Sequence, residues 1–383
     1  MVLKRLQGVE QDLMMENADK YYSDEDDNPV DIAQQRVMAA VQKGAPKQHE
    51  VEQWHRFTGL GIGLASLLTD NVLSHPCIVL RRQCQVNQRS VRYHLTPFSV
   101  FQVMINLQRA QGLSTLWKGI SSKFVVQGIC LCSDAFISEV TWFPKEINRH
   151  SKPKQVIGHI AMKGITLVVS MPFFSASLIE TVQSDIASEK PGVLDCVKEG
   201  FSRLLGWGMP QTRRLLPMWT LVVPTVLHGL LHYILSSVVQ QIALFILNHR
   251  YQKRVAGLPR DEQPPPKTMV EAYYPQLFAS FLSHLVTDIV LYPLETVLHR
   301  LHIQGTRTII DNTDFGTEVV PIDTRYEGLQ DCFESIQSQE GRLGFFKGFG
   351  ALILQYALHL AILKITNVIF IRISEDFGYK QQR

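Results

Sequence analysis

The chain has little of what zinc modules, imported precursors and secreted proteins are built with. Its 383 residues include only six cysteines. Cys130 and Cys132 lie two apart on an apolar run, with no second pair and no histidine at finger spacing. A zinc site is therefore not expected, and the thiols are expected to be reduced and buried. The first residues, Met1-Val2-Leu3-Lys4, lead to the acidic run Ser23-Asp24-Glu25-Asp26-Asp27. They have neither the apolar centre of a secretory signal nor the Arg-rich, acid-poor face of a transit peptide. Targeting is then internal, and residues 1–50 read as an acidic, solvated, disordered tail that is also a place for a partner motif. No nucleophile–base constellation, phosphate loop or metal cluster stands out, so no enzyme, cofactor or metal is expected. The formal net charge of +3 gives no reason to expect nucleic acid as a partner.

What the chain does have is long apolar runs. Leu, Ile, Val and Ala dominate residues 60–80, 215–247 and 352–373, each long enough for a helix of about 20 residues to cross a bilayer. Gly59, Gly61 and Gly63 give the first run either a small-residue packing face or a flexible start.

The runs belong to a threefold pattern. Apolar helices meet a proline at Pro76, Pro172 and Pro293. After the first and third prolines an aromatic-Lys-Gly step follows a glycine, as Gly112 before Trp117-Lys118-Gly119 and Gly341 before Phe346-Lys347-Gly348. The second and third units share Gly-x-x-Asp-Cys, at Gly192 to Cys196 and Gly328 to Cys332. Each unit reads as a long helix bent at proline, a short amphipathic helix near 97–111, 193–205 or 328–340, and a second long helix. The resulting expectation is an all-α membrane protein of six transmembrane helices in three pseudo-symmetric hairpin repeats. Its boundaries are a tail at 1–50, repeats at 51–150, 151–250 and 271–376, a Pro-rich linker at 251–270 around Pro264-Pro265-Pro266, and a tail at 377–383. A second insertion lies near residues 306–324. Both insertions read either as partner-binding loops or as harmless length.

Pro293-Leu294-Glu295-Thr296-Val297-Leu298-His299-Arg300, Tyr326-Glu327-Gly328 and Glu340-Gly341 resemble the repeat of the mitochondrial solute carriers, solute carrier family 25, over residues 55–376. Ser74 to Asn87 and Leu298 to Thr308 resemble a divergent outer-membrane branch of that family, concerned with mitochondrial dynamics. The resemblance implies an acid two residues after each proline and a base five after it, paired helix to helix into a gate. Here the acid positions hold Ile78, Phe174 and Glu295, and the base positions hold Arg81, Ser177 and Leu298. In carrier geometry Glu295 then faces Arg81, Ile78 faces Ser177 and Phe174 faces Leu298. Arg82 or Arg300 restoring a ring is the competing reading. The second gate of carriers, an aromatic-acid motif on the even helices, is absent at Phe136, Tyr233 and Tyr356.

Other positions carry two readings each. Asp70, Asn71 and Asp288 line a remnant polar cavity, or they make structural hydrogen bonds between helices, Asp288 for example with His284. Lys118, Gly119, Gly328, Lys347 and Gly348 correspond to carrier positions that hold cardiolipin-type phosphates, or they are plain helix caps. The second repeat has Trp207-Gly208-Met209-Pro210 and lacks the lysine. His228 and His232 share a helix face without a third ligand. The resemblance further implies an outer-membrane adaptor for fission, fusion, cristae and lipid exchange. Its implied partners are membrane lipids, mitofusins, the inner-membrane fusion GTPase, the cristae-organising complex and endoplasmic-reticulum contact proteins. The alternative is a solute exchanger.

Overall fold

The computed structural model describes residues 68–145, 152–186, 192, 194–205, 214–257, 269–314 and 318–381. The N-terminal tail, Gly59 to Gly63, the step at Trp207, the triple proline and the side chain of Asp70 lie outside the described residues.

Nine α-helices and one β-hairpin follow in order among these residues. They are α1 (His75–Val86), α2 (Pro97–Gln111), α3 (Ile120–Val140), α4 (Pro153–Val182), α5 (Asp195–Leu205), α6 (Met218–Ala256), α7 (Met269–Ile303), β1 (Ile309–Asp311), β2 (Val319–Pro321), α8 (Leu329–Gln339) and α9 (Phe349–Gln381). Five segments are long and apolar enough to cross a membrane: Leu113–Val140, Pro153–Val182, Met218–Arg254, Tyr274–Ile303 and Arg342–Ile369. The helix before them is described only from Leu68, so the sixth span is not complete within the described residues. There a π-helical turn, Thr69–Leu73, leads into α1, and Pro76 occupies the first turn. Proline is tolerated at that position because the missing N–H would have no partner anyway. Pro172 and Pro293 instead lie inside α4 and α7, where each removes one backbone hydrogen bond.

The short helices are amphipathic for a visible reason. In α2 the residues Val100, Val103 and Leu107, at three- and four-residue spacing, are buried against Leu80, Leu116 and Ala351. The helix stops at Gly112, whose φ of +88° suits glycine and whose N–H bonds Gln108 O at 2.8 Å. In α8 the buried pair is Cys332 and Ile336, packed with Met171, Leu221, Val297 and Leu301 from three long helices.

Four expectations change. Cys77, Cys84, Cys196 and Cys332 are buried, but Cys130 is half-buried at a cavity wall and Cys132, on the opposite side of α3, is exposed. Helix α6 runs to Ala256, into the expected linker, because Tyr251 to Ala256 contains no breaker before Gly257 and places Lys253 and Arg254 at the negative helix end. Helix α9 likewise continues through the expected tail to Gln381. The insertion near 306–324, read as added loop, carries two antiparallel strands that pair Ile309 with Pro321 and Asp311 with Val319. Its β-branched doublets Ile309-Ile310 and Val319-Val320 suit a half-buried strand.

Candidate functional site

Arg81 on α1 stands between two carboxylates of α7. Its Nη2 lies 3.1 Å from Glu295 Oε1 and its Nη1 lies 3.5 Å from Asp288 Oδ2. Asp288 and Glu295 are two helical turns apart, so both face the same neighbour. Asp288 also accepts from His232 Nε2 at 3.0 Å and from Tyr356 OH at 2.8 Å. Glu295 accepts from Gln85 Nε2 at 3.2 Å, and Gln85 Oε1 faces His299 Nδ1 at 2.8 Å. One cation and two anions therefore tie α1, α6, α7 and α9 together.

The other gate positions carry no ion pair. Ile78 and Leu298 are buried. Ser177 accepts from Ser122 Oγ of α3 at 3.0 Å, so its hydrogen bond goes to that helix rather than to the α1 position of Ile78. Phe174 is stacked on His299, set edge-on to His302 and covered by the Arg82 guanidinium at 5.9 Å. Phe174 and Leu298 do share the wall of one cavity of about 210 Å³. Neither spare arginine rebuilds a ring. Arg82 donates to Thr181 Oγ1 at 3.1 Å, and Arg300 grips Glu340 with both terminal nitrogens.

The cavity is not walled by the acids expected there. Arg82, Glu295, His228, His299, Thr225 and Ser170 are polar residues of its lining, amid Leu167, Met171, Phe174 and Leu298. Asn71 instead accepts from Gln127 at 3.1 Å, and Asp288 is bonded as described above. Asp288 takes His232, not His284, because the α6–α7 packing brings that imidazole within reach. His228 and His232 have ring centroids 6.2 Å apart, and no group of three metal-ligating side chains occurs among the described residues.

Both expected lipid-phosphate lysines point inward. Lys118 Nζ donates to Gln183 O at 2.6 Å and to Asp311 Oδ2 at 2.8 Å. Lys347 Nζ donates to the carbonyls of Asn87, Gln88 and Ser90 at 3.0–3.1 Å and pairs with Glu340 at 2.7 Å. An ammonium has three donors; the partners of Lys347 use up all of them and those of Lys118 take two. Gly119 and Gly348 let this happen. A Cβ on Gly119 would lie 2.7 Å from Thr181 Oγ1, and one on Gly348 would lie 2.8 Å from Cys84 Cβ. The amide of Gly348 is itself bonded to Tyr93 O at 2.9 Å. Gly328 keeps an open surface at the start of α8.

Toward the other end of the spans, an ion pair that the even-helix motif does not describe joins α3 to α4. Lys163 Nζ meets Asp134 Oδ2 at 2.5 Å, and Thr166 donates to Asp134 Oδ1 at 2.6 Å. Asp134 stands in an apolar span, which is itself a signal. Beside it Tyr233 OH donates to His159 Nε2 at 2.9 Å while His159 Nδ1 faces Pro144 O at 2.8 Å.

These features define a membrane-embedded bundle of repeated helical hairpins centred on one shared ion cluster. The family description "Mitochondrial carrier protein" matches residues 270–371. The "Mitochondrial outer membrane protein SLC25A46" of Danio rerio is 54% identical over 335 residues, covering 86% of this chain and 81% of that protein. The protein of that name in Homo sapiens is 54% identical over 328 residues, covering 85% and 78%. "Solute carrier family 25 member 46-A" of Xenopus laevis is 56% identical over 319 residues, covering 83% and 76%. The chain belongs to the mitochondrial carrier family, in the branch of these relatives. It is a multi-pass protein of the mitochondrial outer membrane.

Proposed function

We propose that the chain is an outer-membrane adaptor and scaffold, not an enzyme, which regulates mitochondrial fission and fusion, cristae organisation and lipid exchange. The observation that carries this reading is the central layer. One of three gate pairs, Arg81 with Glu295, is ionic, while Phe174 is locked among His299, His302 and Arg82. A cycling gate needs ion pairs that are weak because they are solvated. An aromatic side chain held by packing offers a passing solute nothing to exchange with. The bundle then acts as a rigid platform in the lipid. Its proposed partners are mitofusins, the inner-membrane fusion GTPase, the cristae-organising complex and endoplasmic-reticulum contact proteins.

The cavity beside Arg82 and Glu295 favours a second reading, solute exchange by alternating access. Purified full-length protein in liposomes, assayed with a broad metabolite panel, separates the two. The scaffold reading expects no flux above protein-free vesicles; saturable exchange would overturn it. Proximity labelling in intact mitochondria then tests the partner set.

A further inference from the structure

We propose that the paired strands β1 and β2 are a built-in plug that keeps the bundle shut where α1, α4 and α7 end. The proposal rests on the reading of the bundle as fixed and names the part that fixes it. Ile310, 1% exposed, shares one buried cluster with Val86 of α1, with Leu178, Ile179 and Val182 of α4, and with Ile303 of α7. Those residues are the last turns of three different long helices. A strand side chain thus lies in the apolar cluster that the three helix ends share.

The hairpin comes from the third repeat but is fastened to the other two. Asp311, 2% exposed, accepts from Gln83 at 2.9 Å, from Gln111 at 2.8 Å and from Lys118 Nζ at 2.8 Å. The main chain of β1 joins the end of α4 through Ser184 N to Ile309 O at 2.8 Å and a bridge from Gln183 to Ile310. Beyond the strand, Asn87 donates to Thr313 at 3.1 Å. Asp314 takes Ser90 Oγ, Val91 N and Arg92 N at 2.8–3.0 Å. Opening this end would separate the buried charges of Lys118 and Asp311 and strip three donors from one carboxylate in the same step. A buried pair broken on one side is strongly unfavourable, so closure here does not depend on the reduced gate.

Cys130 on the cavity wall supplies the readout. Full-length protein carrying Cys132→Ser is placed in vesicles, and a membrane-impermeant, charged thiol reagent is added from the hairpin face. Cys196, wholly buried outside the cavity wall, reports folding by staying unreactive. With the native hairpin, Cys130 is expected to label at the background rate. Asp311→Asn, which weakens the hold on Lys118, and Ile310→Ala, which keeps every hydrogen bond and is the milder variant, are expected to label about tenfold faster or more. Labelling of Cys130 behind the native hairpin overturns the proposal. So does a native rate in either variant with Cys196 still protected. Saturable metabolite exchange by the native chain would instead defeat the scaffold reading and leave the closed resting hairpin intact.

Discussion

Arg300 and Glu340 form a two-pronged ion pair inside the protein, joining the end of α7 to the residue that closes α8. The arginine side chain is 0% exposed and the glutamate 7%. Arg300 Nε also donates to Gln85 O at 2.8 Å, and Lys347 shares the carboxylate. Two cations of the third repeat therefore meet on one glutamate, and Arg300 carries the link on to the first repeat. Glu340→Gln should lower stability by about 3–5 kcal/mol, because it leaves two buried cations short of an anion. Thermal unfolding in detergent reads the loss directly.

The same carboxylate sets an acid limit. Burial alone would raise its pKa, but the guanidinium of Arg300 and the ammonium of Lys347 hold it below the usual carboxylate range. A depressed folded value means that the stabilisation is complete above the unfolded value of about 4.3 and is lost as pH falls through the lower folded one. Melting temperatures should therefore fall below about pH 4, and Glu340→Gln should flatten that part of the profile.

His94 predicts a second slope at milder pH. It lies between α1 and α2 with φ +49° and is buried, which lowers its pKa; Asp314 works against that, and Arg92 and Lys347 add to it. The unfolded chain holds the proton more tightly, so this group's contribution is complete above about pH 6.5 and shrinks as pH falls below it. His94→Asn keeps a residue type that tolerates positive φ. The difference in melting temperature between pH 7.5 and pH 5.5 should be smaller in that variant.

Reversing Arg81 and Glu295 together should restore only part of what either reversal loses. The shared cluster explains why, since an acid at position 81 would face Asp288, which now lies 3.5 Å from the guanidinium. A double-mutant cycle with Arg81→Gln and Glu295→Gln should show a coupling of about 1–3 kcal/mol. Strict additivity would mean that the pair contributes nothing.

Two glycines should respond in opposite ways. A Cβ on Gly350 would fall 2.2 Å from Thr96 O and 2.9 Å from His94 O, both backbone atoms. Gly350→Ala should therefore cost about 1–3 kcal/mol or prevent accumulation. Gly128 in α3 has open space at its Cβ, so Gly128→Ala should be neutral or stabilise by up to about 1 kcal/mol. Expression and melting temperature of the two variants, side by side, check the contrast.

Much of this was legible in residue order. Apolar length marks the spans, and three-to-four spacing of Val100, Val103 and Leu107 marks a short helix with one buried face. The pairing of Glu295 with Arg81 was legible through the resemblance to the carrier repeat, which implies that these two offsets from proline face each other. The lysines at 118 and 347 misled for an equally physical reason. A lysine before a helix N-terminus looks free to meet phosphate, and nothing local says that carbonyls from another repeat lie within its reach.

Sequence alone determined the membrane-spanning class and the threefold plan, because both follow from periodicity, and the loss of gate charge was legible through the resemblance to the carrier repeat, which supplies the offsets. Only the tertiary structure decided where the remaining charges went. Asp311 meets Lys118 across 193 positions of chain, and Ile310 shares one buried cluster with the ends of three helices. Such contacts depend on how the repeats close around a common axis, and that closure is set by packing between segments far apart in the chain, which no local pattern encodes.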